Sequence, residues 1–88
     1  MSRVEPARLA DLEDVLGEVR SWSSVQDRGG GTFYVGRKPL LHFHLSHQGR
    51  RADVRGADGW LRIELPEPAP APLKRRLLRV VRAAYAGR

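Results

Sequence analysis

The sequence predicts a two-layer α+β domain, a four-stranded antiparallel meander with an N-terminal and a C-terminal helix packed on one face (αββββα). Three observations carry this expectation. Residues 7–20 and 73–86 repeat their apolar side chains with helical spacing, and four segments between residues 32 and 65 alternate apolar and polar side chains with a period of two. Between the last strand and the last helix, Pro66, Pro68, Pro70 and Pro72 stand at alternate positions, which suits neither helix interior nor central strand. Each helix has one apolar stripe and the meander has one apolar face, so packing them together closes a single core.

In the first helix, residues 7–20, Leu9, Leu12, Val15, Leu16 and Val19 form the stripe, while Asp11, Glu13, Asp14 and Glu18 face away. Pro6 sits at the start, where its missing N–H costs nothing, and the acids cluster where the helix dipole favours them. Ser21-Trp22-Ser23-Ser24 breaks the pattern, with Trp22 expected at the rim of the core. Arg28-Gly29-Gly30-Gly31 reads as a flexible connection. It is no phosphate-cradling loop, because no Lys-Ser/Thr follows and a strand, not a helix, comes next.

The strands are expected at about 32–36, 40–46, 51–55 and 60–65. Phe33, Val35, Leu41, Phe43, Leu45, Ala52, Val54, Leu61, Ile63 and Leu65 then share the buried face. A two-residue turn at Gln48-Gly49 sets His44 opposite Asp53 and His42 opposite Arg55. The turn Gly56-Ala57-Asp58-Gly59 sets Asp53 opposite Arg62, Arg55 opposite Trp60 and Arg51 opposite Glu64. The Arg37-Lys38-Pro39 turn must hold an odd number of residues, and three would place Tyr34 beside His42. The proline-rich spacer spans residues 66–72. In the last helix, residues 73–86, Leu73, Leu77, Val80, Val81 and Ala84 make the stripe and Lys74, Arg75, Arg76, Arg79 and Arg82 occupy the rest.

With 88 residues there is room for one domain, residues 1–88, burying about 60–65% of its unfolded surface. The chain has no cysteine, hence no disulfide framework and no thiolate metal site, which suits a reducing compartment. Met1-Ser2-Arg3-Val4-Glu5-Pro6 lacks the apolar stretch of a secretory signal, and no apolar run approaches the ~20 residues a membrane span needs. A soluble cytoplasmic protein with no membrane association is expected. The net charge of +6 rests on 14 Arg and 2 Lys. An Arg-, Ala-, Gly- and Pro-rich composition is common in GC-rich bacterial genomes, which discounts the charge as a sign of nucleic-acid binding. Residues 1–27 carry −3 and residues 28–88 carry +9, so an acidic first helix lying beside a basic last helix would neutralise it.

The open face of the sheet collects Tyr34, His42, His44, Asp53, Arg55, Trp60 and Arg62, with Arg51 and Glu64, a set richer in functional chemistry than ordinary solvent-facing strand positions. Cross-strand charge pairs alone stabilise a sheet by about 0.2–1 kcal/mol each. His42 and His44, at i and i+2 on one strand, could reach one metal ion with Asp53 as a third ligand, but the neighbouring arginines make this the weaker alternative. A small anionic ligand fits better, since Arg55 and Arg62 can grip a carboxylate or phosphate while Trp60 or Tyr34 supplies a wall. No cofactor is indicated. A histidine oriented by Asp53 is the obvious general base of an enzyme, but no nucleophilic Ser or Cys accompanies it, so the sequence favours a binding or interaction module. Aromatic side chains with flanking arginines also admit a single-stranded nucleic acid as the third reading. Thr32–Val35, an edge strand in this layout, carries few charges to block pairing, so a homodimer joined there or through the open face is a further expectation.

Phe33-Tyr34, Leu40-Leu41-His42-Phe43-His44 and Ala52-Asp53-Val54-Arg55 resemble a group of small uncharacterised bacterial domains with an F-Y…L-H-F-H…A-D-V-R pattern. The layout is also similar to bacterial luciferase-like and YjbR-like domains, in which a comparable histidine segment precedes a Gly-Trp strand, as Gly59-Trp60 does here. The resemblance spans roughly residues 20–86. It implies the α+β fold and no settled reaction.

Overall fold

Chain direction reverses at every strand of the computed structural model, which describes residues 3–87. Its sheet is antiparallel and has five strands in sequential order: β1 Val25–Asp27, β2 Thr32–Val35, β3 Lys38–Ser46, β4 Gly49–Gly56 and β5 Gly59–Glu64. Two α-helices, α1 Glu13–Ser21 and α2 Ala71–Ala86, pack against one face. The α+β class and the two helices are as expected, and the strand count is corrected from four to five.

The added strand is β1, paired with β2 through Val25↔Val35 and Asp27↔Phe33. Its three residues are too few to show a period of two. Val25 is its single apolar side chain packed on the core, so the segment is readable only once β2 is in place beside it. One consequence is that β2 is not the edge strand expected at Thr32–Val35.

Gly29, Gly30 and Gly31 form a tight left-handed connection (φ 77°, 64° and 79°), not a loose one. The carbonyl of Gly30 accepts from Val4 N–H and that of Gly31 from Phe43 N–H. A Cβ on Gly31 would stand 3.0 Å from the Cβ of Phe43, so close packing as well as φ selects glycine there.

Two hairpins differ from expectation in an instructive way. The β3–β4 turn is His47-Gln48, closed by Ser46↔Gly49, so the register is His42↔Asp53 and His44↔Arg51. That is two residues from the expected pairing and leaves every side chain on its expected face, as a period of two requires. The β2–β3 turn holds only Gly36 and Arg37, between Val35 and Lys38, an even count. The sheet restores the parity with a bulge: Phe33 pairs with Leu41 and Tyr34 with Pro39, leaving Leu40 as the extra residue, fully buried in the core. Tyr34 therefore does not stand beside His42; Thr32 does. The β4–β5 register, Asp53↔Arg62, Arg55↔Trp60 and Arg51↔Glu64, is as expected.

The first helical segment begins as a 3-10 stretch, Pro6–Leu12, before α1. Arg50 packs against this stretch. Alternation places this arginine on the buried face beside Ala52 and Val54, and its side chain is 1% exposed. Its two Nη atoms form a bidentate pair with Asp11 at 2.7 and 2.9 Å. Further N–H groups reach the carbonyls of Arg8 (2.7 Å), Pro66 (2.8 Å) and Leu65 (3.3 Å). The Arg8 carbonyl thereby accepts from a side chain of β4. Asp11 also accepts from Ala69 N–H at 2.7 Å, tying the proline spacer to the helix.

The spacer is two residues shorter at its end than expected, since α2 starts at Ala71 with Pro72 in its first turn, where proline is tolerated. Leu77 and Val81 of α2 are fully buried against Leu12, Leu16 and Val19 and the apolar sheet face. Lys74 pairs with Asp14 at 2.9 Å and Arg82 with Glu18, so part of the basic helix is neutralised by the acidic one. Trp22 packs at the core rim on Tyr85, ring centroids 5.1 Å apart. Among the described residues no helix is long and apolar enough to cross a membrane.

The Arg50 guanidinium holds the Asp11 carboxyl down at about 2, helped by the Ala69 amide and opposed by burial, against an ordinary value of 3.8. A carboxyl lowered in the folded state contributes stability that is complete above pH 4 and lost as pH falls through 2, about 2 kcal/mol in all. Urea unfolding between pH 5 and 2 should show this loss, and Asp11→Asn should flatten it. Asp11→Ala, which strands a buried guanidinium, is expected to cost about 3–5 kcal/mol at neutral pH.

Candidate functional site

The face of the sheet turned away from the helices holds the expected residues, because β3, β4 and β5 keep their parity. Its centre is Asp53, whose side chain is 17% exposed. His44 reaches it diagonally across the β3–β4 ladder, Nε2 to Oδ2, at 3.2 Å. Arg51, two residues along β4, places Nε 3.5 Å from Oδ1, and Arg62, directly opposite on β5, places Nε 3.8 Å from the same oxygen. The His44–Asp53–Arg62 row is therefore present as contacts, although His44 is opposite Arg51 in register.

His42 lies beside this group, its ring 4.2 Å from that of His44 between centroids. Burial, the neighbouring His44 and Arg51 push the His42 imidazole below its ordinary value of 6.5, with Asp53 partly opposing them. His42 is thus held neutral at pH 7, with one nitrogen to donate and one to accept.

The expected His42–Arg55–Trp60 row is not formed, since His42 faces Asp53. Arg55 and Trp60 pair with each other at the far end of the β4–β5 hairpin, the guanidinium 5.9 Å from the indole centroid. Trp60 is 50% exposed and forms a wall about two residues along the strand from Asp53, roughly 7 Å. Tyr34 stands apart near Pro39 on β2, and its ring is covered by Arg28 at 3.9 Å, which in turn bonds Gln26 and the Gly36 carbonyl.

Arg51 completes the cluster and is the residue whose weight the sequence understated. Its parity alone put it on the open face; what could not be read was that the true turn brings it against His44. Its Nε is buried and makes no hydrogen bond. The contrast with Arg50 is quantitative. Charge-assisted N–H···O bonds run about 2.7–2.9 Å, a range Arg50 meets on Asp11 and neither Arg51 nor Arg62 meets on Asp53. Asp53 orients two guanidinium groups without saturating them.

Among the described residues no group of three or more His, Cys, Asp or Glu side chains is placed to hold a metal ion. Arg51 and Arg62 stand beside the His42–His44 pair, around the shared Asp53.

Comparison of the chain with protein-family models, curated proteins and solved structures gives no significant match.

The cluster makes a direct expectation for titration. His42 should titrate below 6.5 when followed by imidazole NMR. Asp53→Asn, removing the one group that raises it, should move the midpoint further down, and Arg51→Gln should move it up. A His42 midpoint that ignores both substitutions would mean the rings and charges do not meet.

Proposed function

We propose that this domain is a binding module whose open sheet face takes a small anion, a carboxylate or phosphate group, between Arg51, Arg62 and His42. The observation that carries this reading is the pair of loose contacts on Asp53. Two guanidinium groups share one carboxylate at 3.5 and 3.8 Å, which leaves their outer N–H donors to meet an anion. A bidentate anion would meet the planar fork of an arginine, with neutral His42 as an added donor. The Arg55–Trp60 pair would flank any organic part of the ligand with an apolar surface. Asp53 and His44 act as the positioning residues that hold the arginines in place.

The reading places no reaction on the site. It also favours a small ligand over a polymer, because Arg28 covers the Tyr34 ring and Trp60, itself paired with Arg55, stands apart from it.

Isothermal titration with inorganic phosphate and with a dicarboxylate at low salt tests the proposal. Binding at about a millimolar or tighter is expected, weakened about tenfold by Arg62→Ala or Arg51→Ala. Arg79→Ala, far away on α2, should leave it unchanged. Equal loss on Arg79→Ala would reduce the effect to net charge. If a short single-stranded oligonucleotide binds far more tightly than phosphate and with a steep salt slope, the ligand is a polymer and the small-anion reading is wrong.

A further inference from the structure

The two edges of the sheet are finished differently. β1 is three residues long and ends at Asp27, whose carboxylate is taken by Arg20 of α1 at 2.8 Å; a short strand guarded by charge is how an edge is kept from pairing. β5 is longer, six residues, and its charged side chains are Arg62 and Glu64 on the open face. It carries no proline or lysine, and adjacent residues on its two faces, Trp60 and Leu61, are the exposed large hydrophobic side chains of the described residues, at 50% and 44%. Beside Leu61 runs an apolar groove of about 340 Å³ lined by Val54, Val80, Ala83 and Ala84.

The backbone of β5 is poised to match. Leu65 N–H donates to the Arg50 carbonyl at 2.9 Å, which fixes Leu65, Ile63 and Leu61 as the residues bonded inward to β4. By alternation the N–H and C=O groups of Trp60, Arg62 and Glu64 point outward. We infer that β5 is the contact by which two copies of this chain join, antiparallel and about a two-fold axis at Leu61, into one ten-stranded sheet.

Side-chain chemistry selects that axis. Keeping apolar faces together requires that residue numbers in each cross-strand pair sum to an even value. An axis at Arg62 would set two guanidinium groups opposite each other, which is repulsive. The axis at Leu61 sets Leu61 against Leu61 of the partner subunit at the closely spaced, non-hydrogen-bonded position. It also sets Trp60 against Arg62 of the partner subunit on both sides, a cation–π pairing. The two apolar grooves then meet above the Leu61 pair. The interface shares Arg62 and Trp60 with the proposed anion site and leaves Arg51, His42 and His44 outside it.

The chain has no cysteine, so single-cysteine variants report the register. Sedimentation of the wild-type chain over about 10–500 µM should show a monomer–dimer equilibrium, and Leu61→Lys should raise its dissociation constant at least about tenfold while circular dichroism stays unchanged. Under mild oxidation Leu61→Cys should form a disulfide-linked dimer, since Cα atoms at that position approach to about 4.5 Å, within disulfide range. Glu64→Cys, which has no counterpart across that axis, should not. A monomer throughout the range, or a dimer that survives Leu61→Lys, overturns the proposal. Crosslinking through Glu64→Cys but not Leu61→Cys overturns the axis.

Discussion

The fold is organised around one buried charge. Arg50 has five N–H donors, and all five are used: two on Asp11 and one each on the carbonyls of Arg8, Leu65 and Pro66. A guanidinium taken from water costs several kcal/mol, and only this completeness of pairing offsets it. The result is less a gain in stability than a demand for geometry. The 3-10 stretch, the start of β4, the end of β5 and the proline spacer must all be in place together before the charge is satisfied. Leu45↔Arg50 pairing and the Leu65–Arg50 backbone bond lie at the same point. The registers of both hairpins bearing the open-face residues are therefore anchored from the buried side.

The next residue, Arg51, shows the complementary use of the same side chain. It points to the opposite face, where Asp53 is shared with Arg62 and His44 at distances too long to saturate any of them. One arginine is consumed by the fold and its neighbour is left with unspent donors. Packing that fixes the first also holds the backbone of the second, which would preorganise the proposed anion site. A preorganised cluster of this type loses little side-chain freedom on binding.

Much of this was legible in the sequence, and the reasons for the rest are specific. The period of two over residues 32–65 was enough to sort His42, His44, Asp53, Arg55, Trp60 and Arg62 onto one face, because parity survives any even shift of register. Which residues stand opposite each other was not fixed by parity. Gly49 suggested a turn at Gln48-Gly49, whereas it closes the hairpin one position later at φ 127°. The odd-count rule for the first hairpin was sound, but the odd residue proved to be Leu40, absorbed in a strand bulge. β1 escaped because three residues carry no periodicity. Arg50 did leave a signal: a charged residue in phase with Ala52, Val54 and the other buried positions. Its partner could not be inferred, because Asp11 belongs by spacing to the polar side of the first helix and is turned inward by the 3-10 stretch.

The central claim is that Arg51, Arg62 and His42 form a single anion site oriented by Asp53. Its most direct measurement is a titration of 15N-labelled protein with inorganic phosphate at constant ionic strength, following backbone amide and arginine Nε–H signals. The expected result is saturable shifts confined to β3, β4 and β5 around Asp53, with the Arg51 and Arg62 Nε–H signals among them. Shifts spread over the arginines of α2, or none at Arg51 and Arg62, would contradict it.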